Sequence, residues 1–68
     1  MNAIKHLRAS KGLTQQELAD ILSVDVSSVS KWETGTAYPR LPLLIKMAGY
    51  FNCSVDSLLQ DGGREMIG

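Results

Sequence analysis

The residues able to do chemistry in this chain are few, and most lie close together. Ser27, Ser28 and Lys31 fall between positions 27 and 31, preceded by Val26 and the carboxylate of Asp25. Upstream, Thr14-Gln15-Gln16-Glu17 supplies a hydroxyl, two amides and a carboxylate in a Thr-x-x-Glu pattern. These groups donate or accept hydrogen bonds, or carry one positive charge, and none is an activated nucleophile. His6 is the single histidine and Cys53 the single cysteine. No Ser/His/Asp set can be assembled around one unsupported histidine, and neither a metal-ligand cluster nor a phosphate-binding glycine loop is present. The chain is therefore expected not to be an enzyme and to hold no cofactor and no metal. His6 reads as an exposed helix residue, and Cys53 as a small hydrophobe at a helix junction. The chemistry on offer is recognition.

Groups of this kind act only if short helices hold them on one surface, and the sequence marks five such helices and no strand. Ala3, Ile4 and Leu7 recur at helical spacing, with Asn2 as N-cap and Gly12 as the left-handed residue past the end. Thr14 and Glu17 form a capping box that starts a second helix, Gln15 to about Leu22, with Leu13 and Leu18 as its hydrophobic staple. Leu18, Ala19, Ile21 and Leu22 face inward. Only Ser23 and Val24 precede the next cap, Asp25, and Val24 and Val29 repeat the staple spacing. The third helix reads Val26 to Glu33 and stops at Thr34-Gly35. Val29 and Trp32 share its buried face, so Ser27, Ser28 and Lys31 point outward. Serine and valine are mediocre helix formers, so packing must hold this helix.

A loop over 35–40 leads to a fourth helix, about Leu41 to Phe51, with Pro42 tolerated in its first turn. Leu44, Ile45, Ala48 and Phe51 are its expected core side chains, and Asn52 takes the left-handed cap. Leu43, Met47 and Tyr50 are either surplus core or a dimer face. Ser54 caps a short fifth helix, with Cys53 and Leu58 as a third staple pair, and Asp61-Gly62-Gly63 ends it.

Length bounds the architecture. Sixty-eight residues and 7.4 kDa suffice for one domain, expected over 1–61, with a short, flexible tail over 62–68. The hydrophobic fraction of 44% supports one small core and argues against disorder. Without disulfide or metal, a domain this small is expected to gain from self-association. No run is apolar enough to span a bilayer, so no membrane role is expected. Seven basic and seven acidic residues cancel, so composition alone does not point to an anionic partner. The distribution is uneven: residues 1–40 carry five basic against four acidic residues, and 41–68 carry two against three.

Residues 14–34 thus form two short helices joined by a tight turn, the second exposing a small polar face. That is the layout of a helix-turn-helix, whose second helix enters the DNA major groove. A groove about 12 Å wide admits a helix whose entering side chains are slim. Ser27 and Ser28 are slim, Lys31 can reach guanine O6 or N7, and Val26 can touch a thymine methyl. The first amides of the second helix, near Gln15 and Gln16, suit a phosphate. The run Val26–Ser30 lacks the Gln, Asn or Arg side chains that discriminate bases best, which predicts modest direct readout.

The motif string also resembles the Cro/C1-type (XRE-like) helix-turn-helix family of bacterial and phage repressors over residues 4–59. The matching positions are Ile4-x-x-Leu7-Arg8, Gly12-Leu13-Thr14-Gln15-x-Glu17-Leu18-Ala19 and Val29-Ser30-Lys31-Trp32-Glu33-x-Gly35. Pro39 and Ser54-Val55-Asp56-x-Leu58-Leu59 follow. The resemblance implies an all-α, compact five-helix bundle, with Gln15 on a phosphate and Val26, Ser27, Ser28 and Lys31 at bases and nearby phosphates. It further implies that Thr34, Thr36, Tyr38 and Arg40 approach the flanking backbone, and that Arg8 pairs with Glu33. Where the family often has glycine between the second and third helices, this chain has Ser23, which costs roughly 1 kcal/mol if the backbone there is left-handed. The function expected is that of a transcriptional regulator, a repressor acting as a homodimer on double-stranded DNA with a pseudo-palindromic operator. The location expected is the bacterial cytoplasm, at the nucleoid. The alternative is an antitoxin-like interaction module whose main partner is another protein.

Overall fold

A computed structural model describes residues 2–59 of the chain. Five helices follow in order: α1 Asn2–Ser10, α2 Gln15–Leu22, α3 Val26–Thr34, α4 Leu41–Phe51 and α5 Val55–Leu59, with no strand among the described residues. The expected end of α5 at Asp61-Gly62-Gly63 and the tail over 62–68 lie outside the described residues.

The caps behave largely as their residue types dictate. Gly12 ends α1 at φ 70°, and Asn52 ends α4 at φ 56° and ψ 49°. The Thr14 hydroxyl accepts from the Glu17 amide at 3.1 Å, while the Thr14 amide donates to Glu17 Oε1 at 2.8 Å. Ser54 Oγ accepts from the Ser57 amide at 3.1 Å, which starts α5. Two boundaries differ from expectation. Asn2 lies inside α1 as its first residue rather than ahead of it as a cap, and α3 takes in Thr34 before Gly35 turns left-handed at φ 81°.

One core joins the five helices. Ile4 of α1, Leu18, Ala19 and Leu22 of α2, Val29 and Trp32 of α3, Leu44, Met47, Ala48 and Phe51 of α4, and Leu58 of α5 are buried together. The inner staple residues Leu18, Val29 and Leu58 are fully buried, and their partners Leu13, Val24 and Cys53 pack partly against the same cluster. Burying Val29 and Trp32 contributes about 1.5–3 kcal/mol each. That outweighs propensity deficits of roughly 0.5 kcal/mol for each serine and valine of α3, so tertiary packing holds the helix.

On α4 one expected core residue is misplaced. Ile45 is 57% exposed, whereas Met47, read as either surplus core or part of a dimer face, is fully buried. The α4 stripe that meets the bundle runs through Leu44, Met47, Ala48 and Phe51, and Ile45 lies on the opposite edge beside Leu41, one turn away. Tyr50 is partly covered instead by the turn after α1: the Lys11 ammonium stands 5.4 Å from its ring centroid, and the Phe51 ring meets it edge-on at 5.2 Å.

Candidate nucleic-acid interface

The turn between α2 and α3 is built from three residues. Ser23 adopts the left-handed conformation, φ 59° and ψ 43°, and its amide returns to carbonyls of α2. The Val24 amide donates to the Ala19 carbonyl at 3.0 Å, which stops the helix within one residue. Asp25 then caps α3 by accepting from the Ser27 amide at 2.9 Å. Val24 packs on the core, so the chain cannot drift before α3 begins. The strain anticipated at Ser23 is therefore present.

This turn fixes which face of α3 looks outward. Val29 and Trp32 are buried, while Ser27 and Lys31 are exposed and Val26 and Ser28 are half-buried. Val26 leans partly on the core, which leaves only part of its surface for a partner. Asp25 does more than cap. Its Oδ2 also receives the Ser27 hydroxyl at 2.5 Å, a contact not anticipated from the sequence although an Asp-x-Ser cap encodes it. Hydrogen bonds from the Ser27 hydroxyl and amide, aided by the charge of Lys31, hold the Asp25 carboxyl below its usual range against a smaller opposing effect of burial.

At the start of α2 the amides of Gln15 and Gln16 have no intrahelical acceptor, because they belong to the first turn. The side chains are already engaged. Gln16 Nε2 donates to Asp20 Oδ1 at 2.9 Å, and Gln15 Nε2 donates to Glu33 Oε1 at 2.9 Å. The Thr14 hydroxyl oxygen serves as an acceptor in the capping box, which leaves its own proton to donate outward.

Beyond α3 the chain folds back on one carbonyl. The amides of Thr36 and Ala37 donate to the Lys31 carbonyl at 2.9 and 3.3 Å, and the Thr34 hydroxyl donates to it at 3.2 Å. The hydroxyls of Thr34 and Thr36 lie 3.0 Å apart. Tyr38 is 68% exposed, Pro39 is buried, and Arg40 is exposed at the N-cap of α4 with no side-chain capping bond.

Between α1 and the end of α3, Arg8 and Glu33 meet as the resemblance implied. Arg8 Nε donates to Glu33 Oε2 at 2.6 Å, its second terminal nitrogen donates to Oε1 at 3.1 Å, and Nη1 donates to the Leu13 carbonyl at 2.6 Å. Burial pushes the Glu33 carboxyl up. Hydrogen bonds from Arg8 and Gln15, with the charges of Arg8 and Lys5, outweigh it and leave the carboxyl below its usual range. The hydrogen bond to Glu33 correspondingly raises the Arg8 guanidinium, against an opposing effect of burial. The participation of Gln15 and the Leu13 carbonyl was not anticipated. Together they tie α1, the start of α2 and the end of α3 into one unit.

The helix-turn-helix sequence profile matches residues 4–58, most of the chain. That decides the family. The chain belongs to the Cro/C1-type helix-turn-helix family. A 64-residue stretch covering 94% of this chain is 39% identical to the HTH-type transcriptional activator BcrR of Enterococcus faecalis. Identity is 39% over 57 residues, 84% of this chain, with an SPbeta prophage-derived HTH-type transcriptional regulator, YonR, of Bacillus subtilis. It is 38% over 56 residues, 82% of this chain, with the competence pilus inhibition repressor of Acinetobacter baylyi. The chain spans 30%, 53% and 51% of the lengths of these relatives. The family and these relatives are transcriptional regulators, not enzymes. Among the described residues no helix is long and apolar enough to cross a membrane.

Proposed function

We propose that this helix-turn-helix domain binds double-stranded DNA with α3 in the major groove and regulates transcription by occupying an operator. One observation carries the reading: α3 exposes Ser27 and Lys31 while Val29 and Trp32 anchor its other face in the core. A slim, rigidly held helix face is what a groove about 12 Å wide accepts. Lys31 reaches guanine or phosphate, and Val26 and Ser28 lie beside the bases. The first-turn amides of Gln15 and Gln16 and the Thr14 hydroxyl meet phosphate on one flank. Thr34, Thr36, Tyr38 and Arg40 meet it on the other, where a phosphate replaces the bond between the two threonines.

So small a surface reads few base pairs, so the working form is a homodimer on a pseudo-palindromic site, with half-sites about 34 Å apart. Leu41 and Ile45, one above the other on α4 and 60% and 57% exposed, offer apolar surface for self-association. The named relatives include an activator and a repressor; the role proposed is repression by simple blockage of a promoter, in the cytoplasm at the nucleoid. The test is selection of bound fragments from a random DNA library at about 0.15 M salt. An enriched inverted repeat supports the reading, and an enriched single half-site limits it to a monomer.

The same apolar pair favours a second reading, in which the domain's main partner is another protein, as in an antitoxin. If no sequence is enriched and the chain instead co-purifies with one protein in a fixed ratio, that reading replaces the first.

A further inference from the structure

The first turn of α3 carries a hydrogen-bond polarity that its residue types alone do not reveal. A serine hydroxyl ordinarily donates and accepts, and so tolerates any base edge. Here the Ser27 hydroxyl lies 2.5 Å from Asp25 Oδ2, and the same oxygen receives the Ser27 amide at 2.9 Å. An ionised carboxylate only accepts, so the single Ser27 proton must point at Asp25. Charge-assisted bonds of this kind are about twice as strong as neutral ones. The low position of the Asp25 carboxyl keeps it ionised at neutral pH. What Ser27 turns to its surroundings is lone pairs alone, and the carboxylate beside it adds more of the same.

We propose that Asp25 is a specificity-determining residue, which makes the start of α3 an acceptor-only surface that selects a base bearing an exocyclic amino group. This rests on the DNA-binding reading above. In the major groove the exposed amino groups are cytosine N4 and adenine N6, whereas guanine presents N7 and O6, and thymine O4, all acceptors. Facing Ser27 and Asp25, guanine or thymine sets lone pair against lone pair, and a carboxylate close to an unpaired carbonyl is repelled. Lys31, one turn further on and donor-only, has the opposite preference. The helix thus reads an amino-bearing base at its start and an acceptor-bearing base beyond it, despite lacking Gln, Asn and Arg on this face.

The test compares the wild-type chain with Asp25→Asn and Ser27→Ala in the same random-library selection, followed by binding to duplexes altered at one position. Asparagine caps a helix as well as aspartate does, so Asp25→Asn keeps α3, while it removes the negative charge beside Ser27 and puts an amide donor where the second carboxylate oxygen stood. The wild type is expected to prefer adenine or cytosine over guanine or thymine at one position by about 5- to 150-fold, the range of a single mismatched pair. Asp25→Asn should cut that preference by at least half its logarithm or reverse it, with the other positions unchanged. Ser27→Ala should flatten the same position only. An enriched site whose pattern is identical in all three proteins overturns the proposal while leaving DNA binding standing. A wild-type chain that enriches nothing overturns both.

Discussion

Arg8 and Glu33 stand 25 positions apart in sequence, yet two guanidinium nitrogens of Arg8 engage both carboxylate oxygens of Glu33, at 2.6 and 3.1 Å. The side chains are 14% and 4% exposed. Gln15 donates to the same carboxylate and Arg8 also holds the Leu13 carbonyl. The pair therefore sets where α2 starts relative to where α3 ends, which is the geometry a groove-binding helix depends on.

Arg8→Ala strands the partly buried Glu33 carboxylate, and the cost of about 3–5 kcal/mol for breaking a fully buried pair is the upper bound of the loss. A chain of this size has a total stability of roughly 3–10 kcal/mol, so the variant should be clearly destabilised. Urea unfolding followed by circular dichroism measures this. A loss under about 1 kcal/mol would mean the pair behaves as an exposed one.

The same pair makes stability depend on acid. The folded Glu33 carboxyl lies below its unfolded value, so its contribution is fully present above the ordinary glutamate value of about 4.3. It is lost as pH falls from there through the lower folded value, because the unfolded chain binds the proton first. Glu33→Gln should flatten that part of the acid limb in a melting-temperature profile from pH 6 to 2. An unchanged slope would assign acid sensitivity to other carboxylates.

Ser23 occupies left-handed backbone at φ 59°. Relief of strain by glycine is worth about 1–2 kcal/mol, offset by about 0.4–1 kcal/mol of extra freedom in the unfolded chain. Ser23→Gly is therefore expected to raise the melting temperature by a few degrees, since 1 kcal/mol corresponds to about 4–8 °C in a domain this small. A lowered melting temperature would show that the serine makes a compensating interaction.

Lys31→Ala separates base from phosphate contact. If Lys31 reads a base, binding to the selected site falls by about 1–3 kcal/mol and that position loses its preference. If it meets phosphate, affinity falls evenly across sequences. For the proposed dimer, about 4–8 neutralised phosphates should make log K fall with log salt at a slope of about −4 to −7. Unchanged affinity in Lys31→Ala would remove this residue from the interface.

Much of this architecture is legible in local patterns. The Thr14–Glu17 capping box, the caps at Asp25 and Ser54, and the left-handed ends at Gly12, Gly35 and Asn52 involve residues within a few positions of one another. Their chemistry is complete without the rest of the fold. Trp32 and Val29 could likewise be assigned to the core, because a three-residue spacing puts them on one face of any helix.

What periodicity could not decide was which apolar stripe of a helix rich in them would be covered. α4 carries Leu41, Leu43, Leu44, Ile45, Met47 and Tyr50, and nearly every face of it reads as buried. Only the packing of the other helices chooses Met47 for the interior and leaves Ile45 outside. The recruitment of Gln15 to Glu33 depends in the same way on two helix ends brought together across 18 positions. The polarity of Ser27 lies between these cases: the cap that creates it is local, but only three-dimensional placement shows the hydroxyl turned to Asp25 and α3 turned outward. Short-range hydrogen bonding is written in neighbouring residues, while choice among competing faces is a property of the packed core, and that is where sequence alone stops.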